Sequence, residues 1–219
     1  MSKNVRKHLM NTIFKLGISV VSKHKKGKLR NYNNYIIGTK KKKIVVNLDL
    51  TLHSVHSIYL YIQRLTRKNG KILFIDRYFK FSKLLKKVAY NNSQYYVTND
   101  EWIGGTLTNF IKIKWFYYLR NVNIGYRVPE AVVTFDNFWS SDILSEAYIQ
   151  NIPVVGDLSF TGIDKFTNYF IVGNLITLNS VLFFTKLLDL AIKNGRSLKL
   201  KMKRKKRVPK YKRVYMFFR

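Results

Sequence analysis

Apolar positions along the chain follow two alternating periods. Ile44-Val45-Val46-Asn47-Leu48 is a short β-branched run and reads as a strand. Leu52, Val55, Ile58, Tyr59, Ile62 and Leu65 then recur at spacings of three and four, which is one face of a helix. Asp49 or Thr51 is the expected N-cap. Asn69-Gly70 is the expected end, with glycine tolerating the left-handed position beyond the last turn. Ile72-Leu73-Phe74-Ile75 is unbroken and apolar, as expected of a strand covered on both faces. Phe81, Leu84, Leu85 and Val88 mark the next helix, Tyr95-Tyr96-Val97 a strand, and Thr106 to Arg120 a helix after a glycine pair. Strands at 131–135, 154–155 and 169–172 alternate with helices at 141–149 and 178–193, the last closed by Asn194-Gly195.

Apolar strands alternating with amphipathic helices predict an α/β fold with a mainly parallel sheet and helices on both faces. Right-handed crossovers make the doubly wound open sheet the leading architecture. Function in such folds usually lies beyond the carboxyl ends of the strands, here Asp76-Arg77, 98–101, Asp136-Asn137 and Asp157-Leu158. Three zones separate by composition: a basic, irregular N-terminal extension (1–43), a periodic α/β core (44–195) and a basic C-terminal tail (196–219). There is no internal repeat and no Pro/Ser-rich linker, so one globular domain with two basic extensions is expected.

Charge changes the picture most. The 219 residues hold 41 Lys+Arg against 11 Asp+Glu, so 41 − 11 = +30. An ordinary small domain keeps a net charge of roughly 2–8, and self-repulsion on this scale calls for a polyanionic partner. With 47% hydrophobic residues the chain is too apolar to be a solvated coil. With no cysteine, disulfide frameworks, cysteine-based zinc sites and cysteine nucleophiles are excluded together. No window reaches 18 consecutive apolar residues, so no membrane span is expected. No secretory signal is visible at the start; residues 3–16 read either as a transit peptide or as a basic helical arm. Heavy use of Lys, Asn, Tyr, Phe and Ile with few Ala, Gly and Pro points to A+T-rich codons, as in an organelle genome.

The doubly wound pattern makes a nucleotide enzyme the natural rival reading. Neither a G-x-G-x-x-G turn nor a Walker-type loop is present. Gly104-Gly105-Thr106 is the glycine-rich turn before a helix, and its amides could bind an anion; a glycine pair alone is a weak signal, and a plain tight turn is the favoured reading. Asp76, Asp136 and Asp157 end successive strands, as a catalytic or metal-binding trio would, but aspartate is also a common N-cap. His53 and His56 have a helical metal spacing without the accompanying Glu, and read as surface residues. No cofactor or metal site is expected.

Nucleic acid has stronger support. The C-terminal candidates are Arg196, Lys199, Lys201, Lys203, Arg204, Lys205, Lys206, Arg207, Lys210, Lys212 and Arg213, interleaved with or followed by Tyr211, Tyr215, Phe217 and Phe218. Cations release counterions from phosphates and aromatic faces stack on unpaired bases. The N-terminal candidates are Lys28, Arg30, Lys40, Lys41, Lys42 and Lys43. Lys203 to Arg207 also fits a nuclear import signal, so a DNA-binding protein stays open as an alternative. No base-reading motif accompanies the charge, which favours contacts to backbone and shape.

The segment from Tyr95 to Asn109, with Trp102-Ile103-Gly104-Gly105-Thr106-Leu107-Thr108-Asn109 at its end, resembles the signature of the ribosomal protein S2 family. That family carries a tyrosine-rich strand and then Arg-Trp-Leu-Gly-Gly-x-Leu-Thr-Asn. Ile36-Ile37-Gly38, Ile44 to Thr51, Gly70 to Ile75, Pro129 to Val133, Glu146-Ala147, Ile152-Pro153-Val154, Asp157, Gly173-Asn174, Ser180 and Gly195-Arg196-Ser197 resemble further family segments in order, over roughly 14–197. Departures are Glu101 in place of the family's Arg, Asp157-Leu158-Ser159 in place of Asp-Thr-Asn, no His near Gly17, and room only for a short loop where bacterial members insert a helical hairpin. The resemblance implies a flavodoxin-like three-layer sandwich with a five-stranded sheet and no cofactor. It also implies a structural, non-catalytic role in the small ribosomal subunit, with small-subunit rRNA and neighbouring ribosomal proteins as partners and no homo-oligomer. Trp102, Gly104, Gly105, Thr106 and Asn109 join the basic residues as RNA-binding candidates. Composition and divergence add an expectation of the mitochondrial matrix, with the plastid as alternative.

Overall fold

The computed structural model describes residues 3–22, 34–40, 43–76, 79–98, 100–120, 122, 124–125, 127–135, 141–157, 166–175 and 177–207. In chain order these form α1 (Lys3–Lys15), β1 (Val20–Ser22), β2 (Ile36–Lys40), β3 (Lys43–Val46), α2 (Leu48–Arg67), β4 (Ile72–Asp76), α3 (Phe79–Asn91), β5 (Tyr95–Thr98), α4 (Phe110–Leu119), β6 (Ala131–Thr134), α5 (Ser141–Ile149), β7 (Val154–Asp157), β8 (Tyr169–Ile171) and α6 (Leu178–Arg207).

The central sheet has the order β5-β4-β6-β7-β8, with every neighbouring pair parallel. Counted within this sheet, that is the flavodoxin-like order 2-1-3-4-5. Successive side chains of a strand point to opposite faces, and the core divides accordingly. Ile72, Phe74, Tyr96, Val133 and Val155 face α2, α3, α6 and the end of α1. Leu73, Ile75, Tyr95, Val97, Val132 and Val154 face α4 and α5. The chain is therefore the doubly wound three-layer sandwich expected, and the unbroken apolar run of β4 is buried at all five positions because both faces are covered.

The run at 44–48 is a strand, but it does not join the central sheet. As β3 it pairs antiparallel with β1 and β2 in a separate three-stranded sheet. The β2–β3 pairing, Lys40 opposite Lys43, closes only a short loop, and because closure entropy grows slowly with length the β1–β3 pairing costs little more. Val21, Ile44, Val46 and Val172 form a small third cluster that ties this sheet to the end of β8. The strand stops at Val46 because Asn47, rather than Asp49 or Thr51, caps α2: its side chain accepts from the Asp49 amide at 3.0 Å. The basic N-terminal zone is thus not irregular throughout. Its helix α1 is docked, with Ile13 fully buried and Arg6 on Asp49 at 2.6 Å.

Helix ends follow one pattern. After α2, the Asn69 amide donates to Thr66 O and the Gly70 amide to Leu65 O, both at 3.0 Å. The left-handed residue is Asn69 (φ 68°), not Gly70. Ser93 (φ 44°) after α3 and Asn151 (φ 53°) after α5 repeat the arrangement. These Schellman closures satisfy the terminal carbonyls and return the chain to the amino edge of the sheet.

Helix α6 does not close at Asn194-Gly195. It continues to Arg207, so part of the basic tail is helix. Gly195 serves packing instead: a Cβ there would lie 2.0 Å from Thr66 Oγ1 and 2.5 Å from the Gln63 carbonyl of α2. Only the smallest residue lets the two helices approach this closely. Helix α4 begins at Phe110 rather than Thr106, and its outer side is apolar: Ile111, Trp115, Phe116, Tyr118 and Leu119 are exposed. Among the described residues no helix is long and apolar enough to cross a membrane.

Tyr61 of α2 stacks on Tyr169 of β8, with ring centroids 4.4 Å apart. Burial, then the neighbouring Tyr169 and Glu130, push its hydroxyl up from 10.0 to about 12. A raised folded-state value means the neutral form is favoured by folding. That contribution is present below pH 10 and is lost as pH rises toward 12. Ultraviolet titration should show a late-ionising group of tyrosines that includes Tyr61, Tyr95, Tyr96 and Tyr117, and Tyr61→Phe should remove one equivalent from it. An unchanged titration in the variant would refute the assignment.

Candidate nucleic-acid interface

The glycine turn is built around an internal anion. Gly105 adopts φ +87°, which turns successive amides toward one point. The Glu146 carboxylate of α5 occupies that point. Its Oε1 accepts from the Gly105 amide at 2.7 Å and its Oε2 from Leu107 at 2.9 Å and Thr108 at 3.5 Å. A second lock lies beneath. Thr106 Oγ1 donates to Ile103 O at 2.5 Å and lies 2.8 Å from Tyr117 OH, which accepts from the Ile103 amide at 3.0 Å. Burial raises the Tyr117 hydroxyl above its usual value, with the Thr106 hydrogen bond opposing. The amides that could receive an external anion are therefore already engaged by the chain's own carboxylate. This also explains the late start of α4: residues 104–109 are shaped by Glu146 and Tyr117 rather than by helical bonding.

Around this turn, Gly104 and Asn109 are exposed and Trp102 is half-buried against the α4–α5 cluster. Glu101, where the resembled family has Arg, accepts from the Thr98 amide at 3.0 Å and so fixes the end of β5. The turn belongs to the α4–α5 side of the sheet.

The basic part of α6 lies on the opposite side. The close contact at Gly195 sets the next turn of the helix against the amino ends of β4 and β5. Arg196 donates there to the Asn92 carbonyl, and burial lowers its guanidinium pKa. Lys71, just before β4, donates to Ser93 O at 2.7 Å and lies 5.3 Å from the centre of the Tyr95 ring. Both carbonyls end α3, where the helix dipole favours cations. Arg127, before β6, has its amide 3.4 Å from Tyr95 OH and its guanidinium 3.4 Å from Glu130. Lys199 lines the same cavity, of about 470 Å³. Sequence reasoning missed Lys71 and Arg127, since each is a single cation beside a strand with no run to mark it.

The structure therefore separates the candidates. Arg196 and Lys199 meet at the amino edge, and Lys201 is exposed one turn beyond Ser197 on the same helix. Lys203, Arg204, Lys205, Lys206 and Arg207 continue that helix in backbone. Lys43 is exposed on β3, in register with Lys40 of β2. Trp102, Gly104, Gly105, Thr106 and Asn109 sit together elsewhere. Lys28, Arg30, Lys41, Lys42, Lys210, Lys212 and Arg213 lie outside the described residues. At the carboxyl edge Asp76 is buried and Asp157 half-buried, on strands separated by β6; Asp136 is outside the described residues. His53 and His56 are exposed. Among the described residues no group of three potential metal ligands exists.

Comparison with known proteins falls on the half of the chain that carries the turn. Residues 20–123 match the family described as ribosomal protein S2. Curated relatives include the small ribosomal subunit protein uS2 of Idiomarina loihiensis, 35% identical over 80 residues, covering 36% of this chain and 33% of that protein. The protein of that name from Buchnera aphidicola (subsp. Schizaphis graminum) is 35% identical over 80 residues, covering 36% and 32%. That from Marinobacter nauticus is 34% identical over 82 residues, covering 37% and 32%. The chain thus spans about a third of the length of these relatives, and over this segment it is similar to the ribosomal protein S2 family.

Proposed function

We propose that the chain is a non-catalytic structural constituent of a small ribosomal subunit, holding rRNA and neighbouring ribosomal proteins in place. The observation that carries this reading is the family match over residues 20–123, which includes the Trp102–Asn109 turn; Glu146, beyond the matched span, gives that turn its shape. The net charge of +30 supplies the physical motive, since an RNA-rich particle provides the missing negative charge. The binding mechanism is electrostatic: cations of α6 and of the β2–β3 hairpin neutralise phosphates, and the sandwich presents them on a rigid frame. The relatives named above are bacterial; the mitochondrial assignment, with plastid as the alternative, draws on the codon-like composition and the short α4–β6 connection. The compositional division into a core (44–195) with basic extensions serves the same reading.

Gradient sedimentation of the tagged protein tests this directly. Migration with the small subunit is the expected result; free or DNA-associated protein would overturn it. Removing residues 201–219 takes away Lys201, Lys203 to Arg207, Lys210, Lys212, Arg213 and Arg219. Affinity for small-subunit RNA should fall, with the log–log salt slope shrinking by about 0.7–0.9 for each lost phosphate contact. The melting temperature should change little, because Lys201 and Met202 are exposed. A slope that stays flat in both forms would exclude the electrostatic mechanism.

A further inference from the structure

The cavity at the amino edge of the sheet combines charge and geometry in a way that packing does not require. Lys71, Arg127, Arg196 and Lys199 line it, and among the described residues no carboxylate does. Of the nearest acids, Glu130 offsets Arg127 at the rim at 3.4 Å, and Asp189 is turned away, holding Lys193 at 2.6 Å and Asn92 Nδ2 at 2.6 Å. Capping the carbonyls of α3 accounts for one donor each on Lys71 and Arg196. Carbonyls are neutral, however, so capping leaves the charge of both unbalanced. The repulsion is visible at Lys71, whose ammonium pKa is lowered first by burial and then by Arg196 and Arg127. Four cations converge here against one carboxylate, that of Glu130 on Arg127, and among the described residues Lys71, Arg196 and Lys199 show no ion pair; such an excess suits a site for an anion.

The geometry points to this cavity as a phosphate clamp for an RNA backbone, with Lys71 and Arg196 as fixed donors and Arg127 and Lys199 closing from either side. The inference rests on the ribosomal reading for the identity of the anion, and deepens it. Its size, about 470 Å³, admits a phosphate with its sugar. Its place is unusual, since ligands of doubly wound sheets usually bind at the carboxyl edge. The helix C-termini here would repel an anion on their own; the cations overcome that by covering the carbonyls first. Such a clamp contacts the backbone alone, so it positions RNA without reading sequence.

The test uses the double variant Arg127→Gln, Lys199→Gln, both changed on side chains that the fold does not bury. The control, Lys83→Gln with Lys186→Gln, removes the same charge from exposed positions outside the cavity. Binding of the full-length chain to small-subunit RNA is measured across salt concentrations. The expected result is a salt slope reduced by about 0.7–0.9 in the cavity variant and a smaller change in the control. Lys199→Arg, with Arg127 intact, should keep the wild-type slope. Equal slopes for cavity variant and control would overturn the clamp. If wild-type protein sediments with the small subunit yet the slopes are equal, the clamp fails and the ribosomal reading stands. If the slope falls but the protein does not sediment with the subunit, the clamp stands and the ribosomal reading fails.

Discussion

Gly195→Ala is expected to destabilise the fold by about 2 kcal/mol, although the same change in an exposed helix stabilises by about 1 kcal/mol. The sign reverses because of what a methyl group would meet. It would sit 2.0 Å from Thr66 Oγ1 and 2.5 Å from the Gln63 carbonyl. Thr66 is itself buried and donates to Ile62 O at 2.8 Å, so it cannot swing aside without breaking that bond. The Gln63 carbonyl is backbone and cannot yield at all. Forcing the helices apart costs about 3 kcal/mol, and improved helix propensity recovers only a third of it. For a chain of this length that net loss lowers the melting temperature by about 4–8 °C. Thermal unfolding at one fixed ionic strength measures it; a melting temperature equal to or above wild type would show that α2 and α6 are not locked at this point. A secondary effect follows on function. Arg196 and Lys199 take their places from this crossing, so RNA affinity should fall along with stability.

The second large effect is expected from Glu146→Gln. Its carboxylate receives three backbone amides, and a hydrogen bond to a charged group contributes roughly 1.5–3 kcal/mol. Glutamine keeps one acceptor oxygen but turns an NH2 group toward the remaining donors. A loss of about 2–3 kcal/mol is expected in urea unfolding, with α4 and the turn at 104–109 losing amide-exchange protection before the central sheet does. RNA binding supplies a separate readout. If the nest only shapes the turn, affinity falls or stays level. A gain in affinity with Glu146→Gln would mean that RNA phosphate competes for the same amides, and the self-filled nest would then be a masked RNA site.

How far these features were legible beforehand depends on how local their causes are. The parallel, doubly wound sheet is legible in the alternation of apolar strands and helical faces, because a strand such as β4, buried on both sides, admits few other arrangements; its flavodoxin-like type comes from the family resemblance. The place of β3 was not legible. Its β-branched run is equally suited to either sheet, and the choice was made by β1 and β2, whose own strand signals are short and set in a basic zone. Asn47 escaped notice as a cap because the apolar run appeared to continue through it to Leu48. Asn194-Gly195 has the sequence of a helix stop. Its real cause, the approach of Gly195 to Gln63 and Thr66, 132 and 129 residues earlier in the chain (195 − 63 = 132, 195 − 66 = 129), leaves no local trace. The candidate interface divides in the same way. Runs of lysine and arginine were evident, and so was the glycine turn. Lys71 and Arg127 gained meaning only when three strand ends and one helix met at a single edge. Glu146 reads in the sequence as one member of a resembled Glu-Ala pair, with no sign that it fills the turn 38 to 41 residues before it.

The apolar outer side of α4 has a consequence for solubility. Copies of this chain in solution are held apart by charge and drawn together by Ile111, Trp115, Phe116, Tyr118 and Leu119. Salt shifts the balance in one direction only: at physiological strength it screens charge beyond about 8 Å, while apolar attraction is left intact. Unassembled protein is therefore most soluble in dilute buffer and approaches precipitation as ionic strength rises. RNA acts on the same balance as salt does, only more strongly, because it neutralises the cations outright. On the proposed ribosomal reading, the exposed face of α4 is then most prone to self-association at the moment RNA neutralises the cations, so the order in which RNA and any neighbour of α4 engage the chain would decide whether it is incorporated or lost as a colloid.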